Sequence, residues 1–366
     1  MRIAIAPRRS WIKDIHLGQI FSWTMPIWAV LIAVLLGSVV IIGAGADPIK
    51  AYAALVQGAL GNQGSIATTL VKSIPLMLGG LAIALSFRAG VFNIGVEGQL
   101  YMGALFSVWA GTALQLPPVI HVIVALLFGM LGGFLWSAIP GWLKAARGFN
   151  EVVVTIFMNY IAIDLVSWLV QGPIKEPGWN YQTAAVADTA RLPIIWPGTS
   201  LHFGLIVAII MAGLVYLLLF HTPLGFQLRM VGSNPEAARY AGVKVTRMTV
   251  LAMALSGSLA GLLGAVEILG VQYRLLAGFS PGWGFDSIAV ALVGQLHPVG
   301  LLVSALFFGA LRTGANSMQT AVGLPVVVVY VIQGLTVLFM MVGAAIQQFG
   351  LWRPARAEKS NVTNPA

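Results

Sequence analysis

Asn93 and Glu97 stand four residues apart in the stretch FRAGVFNIGVEGQLYMG, Phe87 to Gly103. On a helix that spacing puts an amide and a carboxylate on one face, where they offer donors and acceptors to a polar solute. Arg88, Gln99 and four glycines share the stretch, which sits between two strongly apolar runs. Polar, glycine-broken backbone at membrane depth is tolerated where it packs inside protein or faces a water-filled cavity, and ionisable groups there mark functional sites by default. Asn159, Asp164 and Asp286 are the other polar groups inside apolar runs, and Phe92, Phe157 and Phe285 could supply aromatic faces. Each has a structural alternative. Glu97 can pair with Arg88 or cap a broken helix, Asp164 can bond between helices, Asp286 can cap the helix that follows its Gly/Pro turn, and the aromatics can pack or face lipid.

Catalytic chemistry has no comparable footing. The five histidines, His16, His121, His202, His221 and His297, are dispersed without metal-ligand spacing, and there is no cysteine. No HExxH pair or nucleophile elbow is present. Neither a catalytic set, a metal site nor a cofactor is expected.

The elements that position the polar stretch are membrane spans. The chain has 366 residues, 58% hydrophobic and 8% charged, where soluble domains run near a quarter charged, about 25%. The net charge of +9 lies in short loops between apolar runs, as the positive-inside rule requires, and no nucleic-acid partner follows from it. Apolar runs cover about 26–46, 66–87, two spans within 99–143 turned at Pro117-Pro118, 151–171, 201–220, 250–272 and 326–346. Two shorter pieces, about 287–296 and 300–311, are split by His297-Pro298 and read as half-helices or a re-entrant hairpin. The expectation is an all-α polytopic membrane protein, bathed in lipid, with 8–10 transmembrane segments and both termini cytoplasmic. Residues 1–25 form one tail, 26–348 the membrane domain, and 349–366 the second tail. The Pro- and Trp-bearing segment 172–200 is an outside loop, and 222–249 is an inside loop.

That inside loop carries helix punctuation. In GSNPEAARYAG, Gly232 to Gly242, Asn234 can cap, Pro235 suits the first helical position, Glu236 complements the dipole, and Gly242 suits the C-terminal turn. A short surface helix results, with Arg239 on it. An internal echo also pairs GVFNIGVEGQLYMGALFS with GFDSIAVALVGQLHPVGLLVSALFF, aligned on Gly98-Gln99 and Gly294-Gln295; paired glycine-interrupted segments point to a transporter's binding region.

The block LGFQLRMVGSNPEAARYAGVKVTRM, Leu224 to Met248, resembles the coupling loop of permease subunits in the ribose and branched-chain amino acid ABC importer superfamily. FRAGVFNIGVEGQLYMGA, RGFNEVVVTIFMNYIA and PGWGFDSIAVALVG resemble its nucleoside and simple-sugar branch, which works with a binding lipoprotein of the basic-membrane-protein type. The resemblance covers about Leu70 to Ala345. It implies a multi-pass permease half in the bacterial inner membrane, paired with a second permease, homologous or identical, and driven by cytoplasmic ABC ATPases. The chain has no GxxxxGK[ST] loop, so ATP would be hydrolysed on a separate subunit. The resemblance makes the loop helix shaped by Gly232, Asn234, Pro235, Glu236, Arg239 and Gly242 the ATPase-coupling element; Phe92, Asn93, Glu97, Asn159 and Asp286, singled out by residue type and spacing, are then the candidates for the pathway of a nucleoside or simple sugar. The rival is an ion-coupled secondary transporter of a small polar solute, for which Glu97, Asp164 and Glu267 are the coupling carboxylates.

Overall fold

The computed structural model describes residues 28–349, so both expected tails lie outside the described residues, save Phe349. Thirteen α-helices follow one another there: α1 Trp28–Gly43, α2 Pro48–Leu60, α3 Gln63–Arg88, α4 Val96–Ala113, α5 Pro118–Arg147, α6 Glu151–Gln171, α7 Gly204–His221, α8 Pro223–Ser233, α9 Pro235–Tyr240, α10 Val245–Glu267, α11 Trp283–Val293, α12 Pro298–Val322 and α13 Val327–Phe349. A π-helical turn, Ile268–Gln272, extends α10. Among the described residues there is no named strand. Among the described residues six helices are long and apolar enough to cross a membrane, and the bent pair α1–α2, at 118°, makes up to seven. The 8–10 segments expected include short and Gly-broken helices, and α4, α11 and α13 stand outside the count of long apolar ones. Glu97 and Gln99 dilute the apolar run of α4, and α11 has 11 residues, well short of the roughly 20 that an upright span needs.

Two helices form the centre. The apolar windows of α3 and α10 are 78% and 83% buried, against 28% and 22% for α5 and α6 on the outside. Lipid provides no hydrophobic drive between helices, so close backbone packing through small residues must hold them. Gly129, Gly133 and Ser137 of α5 run antiparallel against Ala265, Gly261 and Gly257 of α10, and a Cβ on Gly133 would lie 2.1 Å from the Gly257 carbonyl. Gly103 of α4 meets Gly261 in the same way. The α3 helix, capped by Asn62 on the Ser65 amide at 2.8 Å, continues through Pro75, and Gly79 admits Ser287 of α11 at its surface.

The second apolar piece expected at 300–311 is the interior of a 25-residue helix, α12. Arg312 ends the apolar run in sequence, yet the helix passes through it because the guanidinium has an internal partner. The echoed Gly-Gln pairs do not share a register: Gly98-Gln99 lies in the first turn of α4, whereas Gly294-Gln295 follows the last residue of α11.

The 172–200 segment is tied down rather than free. Thr183 donates to the Leu275 carbonyl at 3.0 Å, Val186 to Tyr273 at 2.9 Å and Leu192 to Leu269 at 2.9 Å. Glu176 pairs with Arg274. His202, just before α7, is wedged against Gly204 and Gly270, where its ring leaves no room for a Cβ.

Candidate functional site: two broken helices beneath a cavity

Two interruptions meet inside the bundle. Residues 89–95 separate α3 from α4, and residues 273–282 separate the π turn from α11. Glu97, 3% exposed in the first turn of α4, accepts from the Gly284 amide in the first turn of α11 at 2.6 Å. A Cβ on Gly284 would lie 2.4 Å from the Glu97 nitrogen, so the two helix starts touch through backbone. Helix N-termini carry partial positive charge, and the Glu97 carboxylate sits where two of them converge.

The first interruption is internally closed. Asn93 lies in the non-helical link, so it does not share a helix face with Glu97 as the spacing suggested. Its Nδ2 donates to Gln99 Oε1 at 2.9 Å and Ser256 Oγ at 2.8 Å, while its Oδ1 accepts from Gln99 Nε2 at 2.9 Å and the Gly95 amide at 3.0 Å. Ser256 passes its own proton to the Ala82 carbonyl at 2.6 Å. Asn159 of α6 accepts from the Gly98 amide at 2.8 Å and donates to the Ile94 carbonyl at 2.9 Å. Both asparagines have zero exposure, and their polar atoms are used in fastening backbone that leaves the helical ladder.

The second interruption opens on a cavity of about 660 Å³, lined by Thr68, Lys72, Ser200, Glu267, Tyr273 and Trp283 among others. Trp283 and Lys72 also border a smaller space of about 210 Å³ that reaches Arg312 and Asn316. Glu267, 8% exposed, ends α10 at the cavity wall. Asp286 in the first turn of α11 is paired with Arg312 at 2.6 Å. The Arg312 guanidinium lies over the Trp283 ring at 4.2 Å, and Lys72 donates to the Arg312 carbonyl at 3.3 Å. The buried Trp283 indole N–H faces the Glu267 side chain. The two spaces therefore join an aromatic wall to the Glu267 carboxyl group and to the cations Lys72 and Arg312, all on different helices, and Ile194, Thr199 and Ser200 of the overlying loop help to line the larger one.

Of the sequence-expected pathway residues, Glu97 and Asp286 thus lie at the start of α4 and α11 beside this cavity's lining residues, while Asn93 and Asn159 secure the other interruption. Phe92, Phe157 and Phe285 are 51%, 65% and 43% exposed on the outside, and Asp164 is exposed on α6. Glu97 does not pair with Arg88, which instead donates to the Leu296 carbonyl at 2.8 Å. Lys72, Trp283 and Arg312 were missed as site residues, and Glu267 entered as an ion-coupling carboxylate alone. The signal was available: Lys72 and Arg312 are lone cations within apolar runs.

At the opposite end of α10 the loop residues fold as their types demand. Asn234 accepts from the Glu236 and Ala237 amides, both at 3.0 Å, and starts α9. Pro235 is its first residue, and Gly242 follows it at φ +83°. Val231, Ala238 and Val243 form a small apolar cluster that seats α9 on the end of α8. Glu236, Arg239 and Tyr240 are left exposed, Tyr240 at 95%. Gly232 packs inward against residues 88–90.

The family described as the branched-chain amino acid transport system / permease component matches residues 65–341. The chain is 36% identical over 339 residues to the glucose ABC transporter permease protein TsgB13 of Haloferax volcanii, covering 90% of this chain and 89% of that protein. It is 37% identical over 329 residues to the guanosine ABC transporter permease protein NupP of Bacillus subtilis, covering 88% and 94% respectively. A solved inward-facing ABC transporter of the metal-chelate type is 18% identical, with a TM-score of 0.40 over 89% of this chain and 98% of that one, a likeness too slight to bear on mechanism.

Proposed function

The chain belongs to the branched-chain amino acid transport system / permease component family, and from that premise we propose that it forms the membrane pathway for a nucleoside or simple sugar in an ATP-driven importer. The solute is handed over by an extracytoplasmic binding protein and enters the cavity beside Glu267, Lys72 and Trp283. It then passes the meeting point of α4 and α11, which parts to let it through. A neutral, hydroxylated solute suits this wall: carboxylates accept from hydroxyl groups, cations donate to ring or carbonyl oxygens, and Trp283 offers an apolar face. The observation that carries the reading is the juxtaposition of two broken helices, touching through Glu97 and Gly284, with a cavity whose largely apolar wall carries Lys72, Glu267 and Trp283.

Energy arrives from outside the chain. The exposed helix α9, with Gly232, Asn234, Pro235, Glu236, Arg239 and Gly242 shaping and presenting it, is the docking element for a cytoplasmic ATPase, and on this reading the α8–α9 end faces the cytoplasm across a bacterial inner membrane. A second permease completes the pathway, and the 172–200 segment, on the opposite side, is where the binding protein lands.

The test is reconstitution in sealed vesicles. The chain with its ATPase, second permease and binding protein should accumulate solute with ATP, and the chain by itself should accumulate nothing. Accumulation by the isolated chain under an ion gradient would replace this reading with the secondary-transporter one.

A further inference from the structure

We infer that Arg88, Phe220 and Arg229, together with the backbone contact between Gly90 and Gly232, are positioning residues that carry displacement of the α8–α9 loop to the Glu97–Gly284 contact. This rests on the reading of α9 as the ATPase docking element.

The starting point is a contact with no give in it. A Cβ on Gly232 would lie 2.2 Å from the Arg88 carbonyl oxygen and 2.8 Å from the Gly90 nitrogen. Gly90, at φ +74°, is in the left-handed region, and a Cβ on it would lie 2.9 Å from the Gly232 Cα. No compliant side chain separates the two backbones. Gly232 is in the last turn of α8, two residues before the Asn234 cap of α9. Gly90 opens the 89–95 interruption that leads into Glu97. A push on α9 thus meets the first interruption directly.

A second arm leaves from the same place. Arg88 donates through Nε to the Leu296 carbonyl at 2.8 Å and through Nη2 to the Gln295 carbonyl at 3.4 Å. Gln295 and Leu296 are held at φ +54° and +52°, a conformation costly for residues with a Cβ. That turn joins α11 to α12. The Phe220 ring, at the end of α7, has the Arg88 guanidinium 5.3 Å from its centroid, that of Arg229 of α8 at 5.2 Å, and the His297 ring at 5.5 Å. Neither arginine is in any of the ion pairs among the described residues. Two like charges are therefore gathered on one aromatic ring, and it links α3, α7, α8 and the α11–α12 turn. From that turn α11, 11 residues long, runs back to Gly284 in its first turn, about 15 Å of rigid helix. Both arms end at the same hydrogen bond, Gly284 to Glu97. The physical warrant is this pair of closed contact chains, and a relay claim stands on measured coupling.

The test uses the complete complex in proteoliposomes, reading solute imported per ATP hydrolysed. Arg88→Gln and Phe220→Leu should keep the ATPase bound and hydrolysing while import per ATP falls about tenfold. Phe220→Tyr, which keeps the ring, should restore coupling. An unchanged ratio, or import and hydrolysis falling together, would overturn the relay. Should Arg88→Gln fail to assemble, Arg229→Gln removes only the ring contact and is read in the same way. Failure of the docking reading looks different: the unaltered chain would not retain an ATPase at all, and the relay would fall with it.

Discussion

The two helix interruptions have similar sequence character, glycine-rich and polar between apolar runs, but one is enclosed in protein and the other borders open space. At residues 89–95 every side-chain polar atom of Asn93, of its partner Gln99, and of Asn159, which holds Ile94 and Gly98, is hydrogen bonded within the chain. The 273–282 link is bonded as well, Arg274 to Glu176 and the Gly282 and Trp283 amides to Ser280 Oγ, but Tyr273, Glu267 and Trp283 around it border open space. Buried polar groups that are fully paired rigidify a fold; those that border open space are available to a ligand. Polarity at membrane depth therefore identifies two things, a fastening and a pathway, and enclosure against open space separates them.

The sharpest way to break that comparison is Asn93→Leu. It removes the bonds to Gln99, Ser256 and the Gly95 amide and leaves their buried partners unpaired, a loss of about 3–5 kcal/mol. Thermal unfolding of the purified protein should shift down by several degrees, with less protein reaching the membrane. Normal stability with abolished uptake would make residues 89–95 the pathway and remove the distinction.

Glu267→Gln probes the other side. The amide keeps the shape and most of the hydrogen-bonding capacity, so stability should hold. Uptake by the assembled transporter should fall about tenfold through loss of a carboxyl oxygen facing the solute, worth about 1.5 kcal/mol. Unchanged uptake kinetics would take Glu267 out of the solute's path.

Much of this architecture was legible from residue types. The Asn234-Pro235 start and Gly242 stop of α9 are local signals, and the helix forms where they say. Gly-broken segments were also visible, because glycine patterns are local. What hid was tertiary. Arg312 looked like the end of an apolar run, since hydropathy cannot know that Asp286, 26 residues earlier, lies 2.6 Å away. Asn93 and Glu97 looked like one helix face because their spacing is helical, yet Asn93 stands in the non-helical link and α4 begins only at Val96. Lys72, Glu267 and Trp283 come together through three different helices, so no stretch of sequence brings them near each other.

The loop that helps to roof the cavity gives the mildest contrast with the fastened interruption, through His202. It is buried just outside the α7 span, accepts from the Gly204 amide through Nδ1 at 3.1 Å, and has no partner on Nε2. Burial pushes its pKa from 6.5 down to about 4. The folded protein thus holds the neutral ring where the unfolded chain already takes up a proton. Stability is full above the ordinary pKa, declines as pH falls from about 6.5 toward 4, and levels off below that. At about pH 5.5 the loss is on the order of 1 kcal/mol. Unfolding midpoints at about pH 7 and pH 5.5 should therefore differ in the unaltered chain, and by less in His202→Gln, whose side chain can still accept from Gly204 without titrating. An equal pH response in both would place the acid sensitivity elsewhere and leave the roof of the cavity as indifferent to protons as the Asn93 fastening beneath it.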